Sequence, residues 1–531
     1  MFEVGSDAIL SIKSGMKKND FRVDFARIVL LVLFFIFSIR IVQLGLESPN
    51  AKRRSVGNAA WQTLRADIVD RNGELLSGTA PGFFIKIYPG RIKDLAATKE
   101  VLEKIYPGFD ASLVESKKTA LYLNYIPLGP TDPAVLAARE IHQNWLDLEE
   151  RRIRQYAKKR ISAHILGFVG KDGAGLEGAE KFFDARLKSS AEPVALSIDS
   201  RIQSLLYQEL SDAKNKYHAN FAAGILMDST TGEIIAAAQV PDFDPNDAGS
   251  SRAADRQFIP MRSVFEIGSI FKIFNTLLAL KTDPNAKKKY DVSKPVQIGA
   301  ATIHDKSSHS KTNFMNVEDI MVHSSNIGSA RVALAQPAGV QAEFFRELGL
   351  YTPLNVDGLG RTAVWPERKN PQPIEVANMA FGHGISVSMM NLIAAVNGVA
   401  NGGVFVQPRL TKAMAGEGIE GRRVVSADAS KTLRRMMLRV SEETTGKLAR
   451  VGGIDIASKT ATAEKLVGGR YSDTKNLNSF VAVFPVEYPR YILLITIDEP
   501  QAIDGGGRTS AFNAVPVAGR VLDVAVPLLM K

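Results

Sequence analysis

Between Ile28 and Ile39 the chain reads IVLLVLFFIFSI, and after Arg40 the apolar character resumes as far as Leu46. That is about one bilayer span, so residues 28–46 are expected to form a single transmembrane anchor, which constrains everything that follows. Arg40 and Gln43 fall near the far end of the run, where long polar side chains reach the headgroups at limited cost. The preceding flank carries Lys13, Lys17, Lys18, Arg22 and Arg27. By the positive-inside rule, residues 1–27 are a cytoplasmic tail, although Lys52, Arg53 and Arg54 follow on the other side. A cleaved signal peptide is the rival reading, but no A-x-A-like site follows the apolar stretch, which ends in Gly45-Leu46-Glu47-Ser48.

The remaining residues of this 531-residue chain are enough for two domains, each with its own core. Hydrophobic residues make up 45% and charged residues 23%, which excludes wholesale disorder. The formal charge of +10 is scattered in short groups such as Lys287-Lys288-Lys289, so a nucleic-acid partner is not expected. A basic surface near anionic lipid, or near phosphate-bearing lipid substrates, accounts for the same charge. There are no cysteines, which excludes disulfides, thiolate metal sites and a cysteine nucleophile. The seven histidines show no H-E-x-x-H spacing, and His304 and His309 lie in a polar stretch. Neither a metal nor another cofactor is expected.

After the anchor, RADIVDRNGELLSG places an Asn72-Gly73 turn between two apolar runs, a β-hairpin signature. From there to about Ser190 short strands mix with charged helical pieces, among them RRIRQYAKKR at 151–160. The passage GKDGAGLEGAE at 170–180 lacks the spacing of a Walker loop or a dinucleotide fingerprint and reads as a turn entering a helix near Phe182. Near Pro193 the pattern changes to a short strand and an amphipathic helix, LSIDSRIQSLLYQELSDAK. This divides the external part into 47–192, a mostly β pedestal, and 193–531. In the second part, AAGILMDSTTGEIIAAAQ near its start matches SFVAVFPV and RYILLITIDEP near its end, with helical patterns between. Strands from both ends imply an α+β fold, an antiparallel sheet packed against a helical cluster.

The segment VFEIGSIFKIFNTLLALK places Ser269 at the start of a helical pattern, with Lys272 three residues on along the same face. A serine hydroxyl needs an adjacent base to become a nucleophile, and a desolvated lysine can supply one. Alone, S-x-x-K is too common to carry weight, because an N-capping serine beside a solvated lysine looks the same. Its company changes that. Ser324-Ser325-Asn326 sits between two helical patterns in MVHSSNIGSARVAL, and Ser458-Lys459-Thr460-Ala461-Thr462 lies in a strand-like run. Their order matches the S-x-x-K, S-x-N and K-T-G elements of active-serine penicillin-recognising enzymes.

On these motifs the chain resembles the class B penicillin-binding proteins. The likeness extends to RADIVDRNGELL, GLEGAE, VPDFDPN, FGHGISVS and FPVEYPRYILLITIDEP, while HSSNIGSA and IHDKSSHSK point to the branch that acts at the division septum. The resemblance implies a D,D-transpeptidase whose catalytic part is periplasmic, held by its anchor in the inner membrane, with peptidoglycan stem peptides derived from lipid II as substrates and β-lactams as inhibitors. It assigns Ser269 as nucleophile, Lys272 as general base, Ser324 and Lys459 as a proton relay, and Asn326 as a contact to the donor peptide. Thr460 and Thr462 would hold the terminal carboxylate, and the backbone N–H groups of Ser269 and Thr462 would form the oxyanion hole. The family also implies a glycosyltransferase partner of the shape, elongation and division type, with other division proteins. Two departures stand out. Ile267 replaces a frequent proline, and Ala461 replaces the glycine of K-T-G, where an added methyl could crowd the donor. A catalytically weak division scaffold and a D,D-carboxypeptidase are the alternatives, followed by a serine β-lactamase or sensor.

Overall fold

The computed structural model describes residues 65–530, apart from 111, 117, 118, 125, 306–311, 415 and 504. The expected tail and anchor, 1–27 and 28–46, lie outside the described residues. Among those described, no helix is long and apolar enough to cross a membrane.

The Asn72-Gly73 turn forms as expected, with Gly73 at φ 86° joining β1 (Ile68–Val69) to β2 (Leu75–Ile87) as an antiparallel pair. With β3 (Leu121–Tyr122), β4 (Leu146–Tyr156) and β5 (Val194–Ala195) they make a five-stranded sheet. The basic run at 151–160 contributes a strand in β4, not a helix: β4 pairs with β2 from Ser77↔Tyr156 to Ile87↔Leu146. At its end the period is 2, with Arg154 and Tyr156 buried and Ile153 and Gln155 only partly so. Charge density read as a solvated helix conceals this alternation, because Arg154 is a cation on the inner face. Its partner is Glu180 of GLEGAE, which sits in the short helix Gly178–Phe182 predicted near Phe182 and is fully buried. One Glu180 oxygen accepts from Arg154 Nε at 2.6 Å and Ser77 Oγ at 2.8 Å, and the other from Arg65 Nε at 2.6 Å.

The strand after Pro193 completes this first sheet, since β5 runs parallel to β1. The chain then enters α1 (Ser200–Lys216), whose N-cap Asp199 accepts from the Arg201 N–H. The predicted end hairpins meet in one antiparallel sheet. It contains β6 (Phe221–Asp228), β7 (Ile234–Val240), β8 (Ala457–Val467), β9 (Arg470–Phe484) and β10 (Tyr491–Asp498), in spatial order β8-β9-β10-β6-β7. First and last parts of the domain are stitched by β6 against β10, from Phe221↔Asp498 to Asp228↔Tyr491.

Helices cover both faces of this sheet, one layer more than a single helical cluster. Residues alternate between two cores: Leu226, Phe480, Leu493 and Ile495 pack with α1 and α6 (Ala514–Leu529), as Leu206 and Val521 show. Ile225, Val481, Ile492 and Leu494 pack the opposite way. There they meet α2 (Lys272–Thr282), α4 (Met389–Ala400) and α5 (Ala427–Glu443). Every residue of β10 is buried, so its sequence shows a continuous apolar run where a one-sided sheet would alternate. Between α2 and α4 in the chain comes α3 (Asn326–Leu334), which packs against α2, and the edge strand β8 borders the turn that carries Ser269.

Candidate active site

Ser269 lies in the 3-10 turn Gly268–Phe271 that opens α2, and is half-buried. The turn needs glycine twice. Gly268 has φ 68°, and its N–H donates to the Gly382 carbonyl at 3.2 Å, while a Cβ on Gly382 would stand 2.2 Å from the Gly268 oxygen. This explains why FGHG, noticed in the sequence only as a likeness, sits beside the serine. One turn on, Lys272 is 1% exposed, and its Nζ donates to Ser269 Oγ at 3.1 Å.

The same Nζ reaches Asn326 Oδ1 at 2.8 Å and Ser324 Oγ at 3.1 Å, and also the Ser324 carbonyl. Ser324 holds φ 56°, the left-handed region, which costs a non-glycine residue roughly 1–2 kcal/mol and turns both its oxygens toward the lysine. Asp305 locks the start of α3. Its carboxylate accepts from Ser325 Oγ at 2.7 Å and from the Ile327 N–H at 3.0 Å, and also from the Asn326 N–H. The sequence reading missed Asp305, because a cap supplied from 20 residues upstream has no local spacing to betray it.

From the other side, Lys459 on β8 donates to Ser324 Oγ at 3.1 Å. Burial at 1% exposure pulls its pKa from 10.5 down to about 8, since the charged amine loses its hydration. The sign follows directly. Between pH 8 and 10.5 the unfolded chain binds this proton more tightly than the folded chain, so Lys459 adds stability as pH rises through that window. A Lys459→Met variant is expected to lose this rise in chemical-denaturation midpoints measured from pH 7.5 to 10, whereas an unchanged slope would place the depressed group elsewhere.

Thr460 and Thr462 are half-buried, and Thr462 Oγ1 accepts from the Ser510 N–H at 3.1 Å. Ala461 is 2% exposed and packs in the core with Ala457 and Ala463, on the strand face that also carries Lys459. Its methyl group is therefore already enclosed by protein. Glu266, also missed, accepts from the Gly384 N–H at 2.7 Å and from Tyr471 Oη at 3.3 Å, which ties the β8–β9 hairpin to the turn that carries Ser269. Burial raises its pKa. The eight sequence-predicted residues thus fall at one place, with Ser269, Lys272, Ser324, Asn326 and Lys459 joined by hydrogen bonds and Thr460, Ala461 and Thr462 following on β8. Among the described residues no cluster of histidine and carboxylate side chains could hold a metal ion.

A serine joined to a lysine at a helix start, facing a second lysine on an edge strand, defines the active-serine penicillin-recognising class. The family described as penicillin binding protein transpeptidase domain matches residues 222–521, and the chain belongs to that family. A relative from Caulobacter vibrioides named probable peptidoglycan D,D-transpeptidase FtsI is 33% identical, over 95% of this chain and 88% of its own. Peptidoglycan D,D-transpeptidase FtsI of Escherichia coli strain K12 is 27% identical, over 93% of this chain and 89% of its own. The fold is shared with a crystal structure of penicillin binding protein 3 from Mycobacterium tuberculosis complexed with aztreonam, at TM-score 0.66 and 23% identity, covering 88% of this chain and 96% of that one.

Proposed function

We propose that this protein is a septal peptidoglycan D,D-transpeptidase of class B. The observation that carries the reading is the unbroken chain from Ser269 Oγ through Lys272 Nζ and Ser324 Oγ to Lys459 Nζ, each link at 3.1 Å. Relatives named D,D-transpeptidases that span nearly the whole chain support the same reading.

Ser269 Oγ attacks the carbonyl carbon of the penultimate D-alanine, and its proton passes to a neutral Lys272 amine. The oxyanion that forms is met by the backbone N–H groups of Ser269 and Thr462, one such donor being worth ~3 kcal/mol in comparable sites. The bond to the terminal D-alanine breaks, and Ser324, hydrogen-bonded to both lysines, hands the proton to the departing amine. An amine of a neighbouring stem peptide then attacks the ester, which frees Ser269 and leaves the cross-link. Asn326 orients the donor peptide, and the Thr460 and Thr462 hydroxyls take its carboxylate. A penicillin presents an equivalent carbonyl in its β-lactam ring and a carboxylate on the fused ring, so it acylates Ser269. The enclosed Ala461 methyl supports an active site over a scaffold with a crippled one.

We read residues 47–192 as a pedestal that lifts the transpeptidase domain, 193–531, from a single membrane anchor at 28–46, with the N-terminus cytoplasmic and the catalytic part periplasmic. Its partner is a lipid II-polymerising glycosyltransferase of the shape, elongation and division type, within the division machinery.

The test is incubation of the purified protein with a pentapeptide donor and an amine acceptor, scored for free D-alanine and cross-linked product. Both products are expected from the wild type and neither from Ser269→Ala. D-alanine without cross-link would instead establish a carboxypeptidase. A second expectation arises at Asp305. Asp305→Ala strips three hydrogen bonds from the start of α3, costing about 1–2 kcal/mol of stability. The same loss lets Ser324 and Asn326 drift, slowing acylation about tenfold, or ~1.4 kcal/mol of barrier. Stopped-flow acylation by a chromogenic cephalosporin reads that rate.

A further inference from the structure

Away from the catalytic residues, a cavity of about 700 Å³ opens between the helix Gly178–Phe182 and the segment running from Ala253 to Arg262. Lys181, Arg256 and Arg262 line it together with a single carboxylate, Glu177. All three cations and that carboxylate face the same cavity. Among the described residues, however, none of them makes an ion pair. Arg256 Nη1 donates to the carbonyls of Ala248 and Ser251, and Arg262 Nη1 to that of Arg361, all neutral acceptors. Beside them stand Leu176 and Phe182, each 44% exposed, although both are large and apolar.

Three positive charges held around one carboxylate leave a positive field focused in a concave site, which an anion would relieve. The cavity is far larger than one phosphate and lies in the size range of sites that enclose several ligand groups. Its lining mixes charged with apolar side chains. We propose that it docks a polypeptide segment of a partner protein that carries two or more carboxylates beside a bulky apolar side chain. The carboxylates pair with Lys181 and Arg262, and the apolar residue covers Leu176 and Phe182. One wall of the cavity is the segment that leads, through Phe265 and its bridge to Val387, into the nucleophile turn. The other wall belongs to the chain before β5. An occupant therefore spans both. The inference does not depend on the assignment of the catalytic residues.

The test uses the full chain in detergent and a fluorescein-labelled peptide in which paired glutamates flank phenylalanine, followed by anisotropy. Saturable binding is expected, with a Kd of about 10–100 μM at low salt. Lys181→Glu alone should weaken it several-fold, and Lys181→Glu with Arg262→Glu by about tenfold or more. Both variants should be acylated by a penicillin at the wild-type rate, which shows that they are folded. A peptide with glutamine for glutamate, or with alanine for phenylalanine, should bind more weakly. No saturable binding, binding that the variants leave unchanged, or equal binding of the glutamine peptide overturns the proposal. Variant-sensitive binding only of inorganic phosphate or of phosphatidylglycerol vesicles also overturns it, in favour of a phosphate or a lipid headgroup.

Discussion

Lys272→Met is expected to slow acylation of Ser269 by a penicillin about 10²–10⁴-fold, the range over which a positioned general base contributes. Methionine keeps the length and most of the volume of the lysine, so the packing of α2 around a residue that is 1% exposed should survive. What disappears is the proposed base for Ser269 Oγ and the donor that holds Ser324 and Asn326 in register. Methionine also leaves the Asn326 Oδ1 and the Ser324 carbonyl without their donor, so a loss of about 1–3 kcal/mol of stability is expected beside a far larger collapse in rate. Stopped-flow acylation and a thermal melt on the same sample separate the two. A rate within tenfold of the wild type would remove Lys272 from the role of base.

The largest loss of stability is expected from Glu180→Ala, about 3–5 kcal/mol by chemical denaturation. Glu180 is fully buried and accepts from Arg65, Arg154 and Ser77 at once. Without it two guanidinium groups remain almost out of water, with side-chain exposures of 8% and 2%. Arg65 retains Asp184 at 2.7 Å, but Arg154 keeps only backbone carbonyls. Glu180→Gln, which keeps one acceptor oxygen, turns the other into a donor and removes the charge, should fall between. A loss under 1 kcal/mol in Glu180→Ala would mean that water enters and solvates the arginines.

Much of the candidate site was legible because its signals are local. Ser269 and Lys272 share one helical turn, Ser324 and Asn326 one loop, and Lys459 to Thr462 one strand. The end hairpins were legible for the same reason, since Thr231-Gly232 and Glu487-Tyr488-Pro489 interrupt strongly apolar runs. Arrangements made across the chain were not. Asp305 caps a helix 21 residues on, Glu266 meets Tyr471 from 205 residues away, and Arg154 is paid for by Glu180. Each is a charged residue whose surroundings in sequence look like solvated surface, and only the fold supplies the partner. The strand character of Arg151 to Tyr156 was hidden in the same way, because a buried arginine breaks the alternation that marks a strand.

The most direct test of the account is the intact mass of the protein after incubation with benzylpenicillin, for the wild type, Ser269→Ala and Ala461→Gly. A mass increase of one penicillin is expected on the wild type and on Ala461→Gly, and none on Ser269→Ala. An adduct that persists in Ser269→Ala, or that appears only after Ala461→Gly, would contradict it.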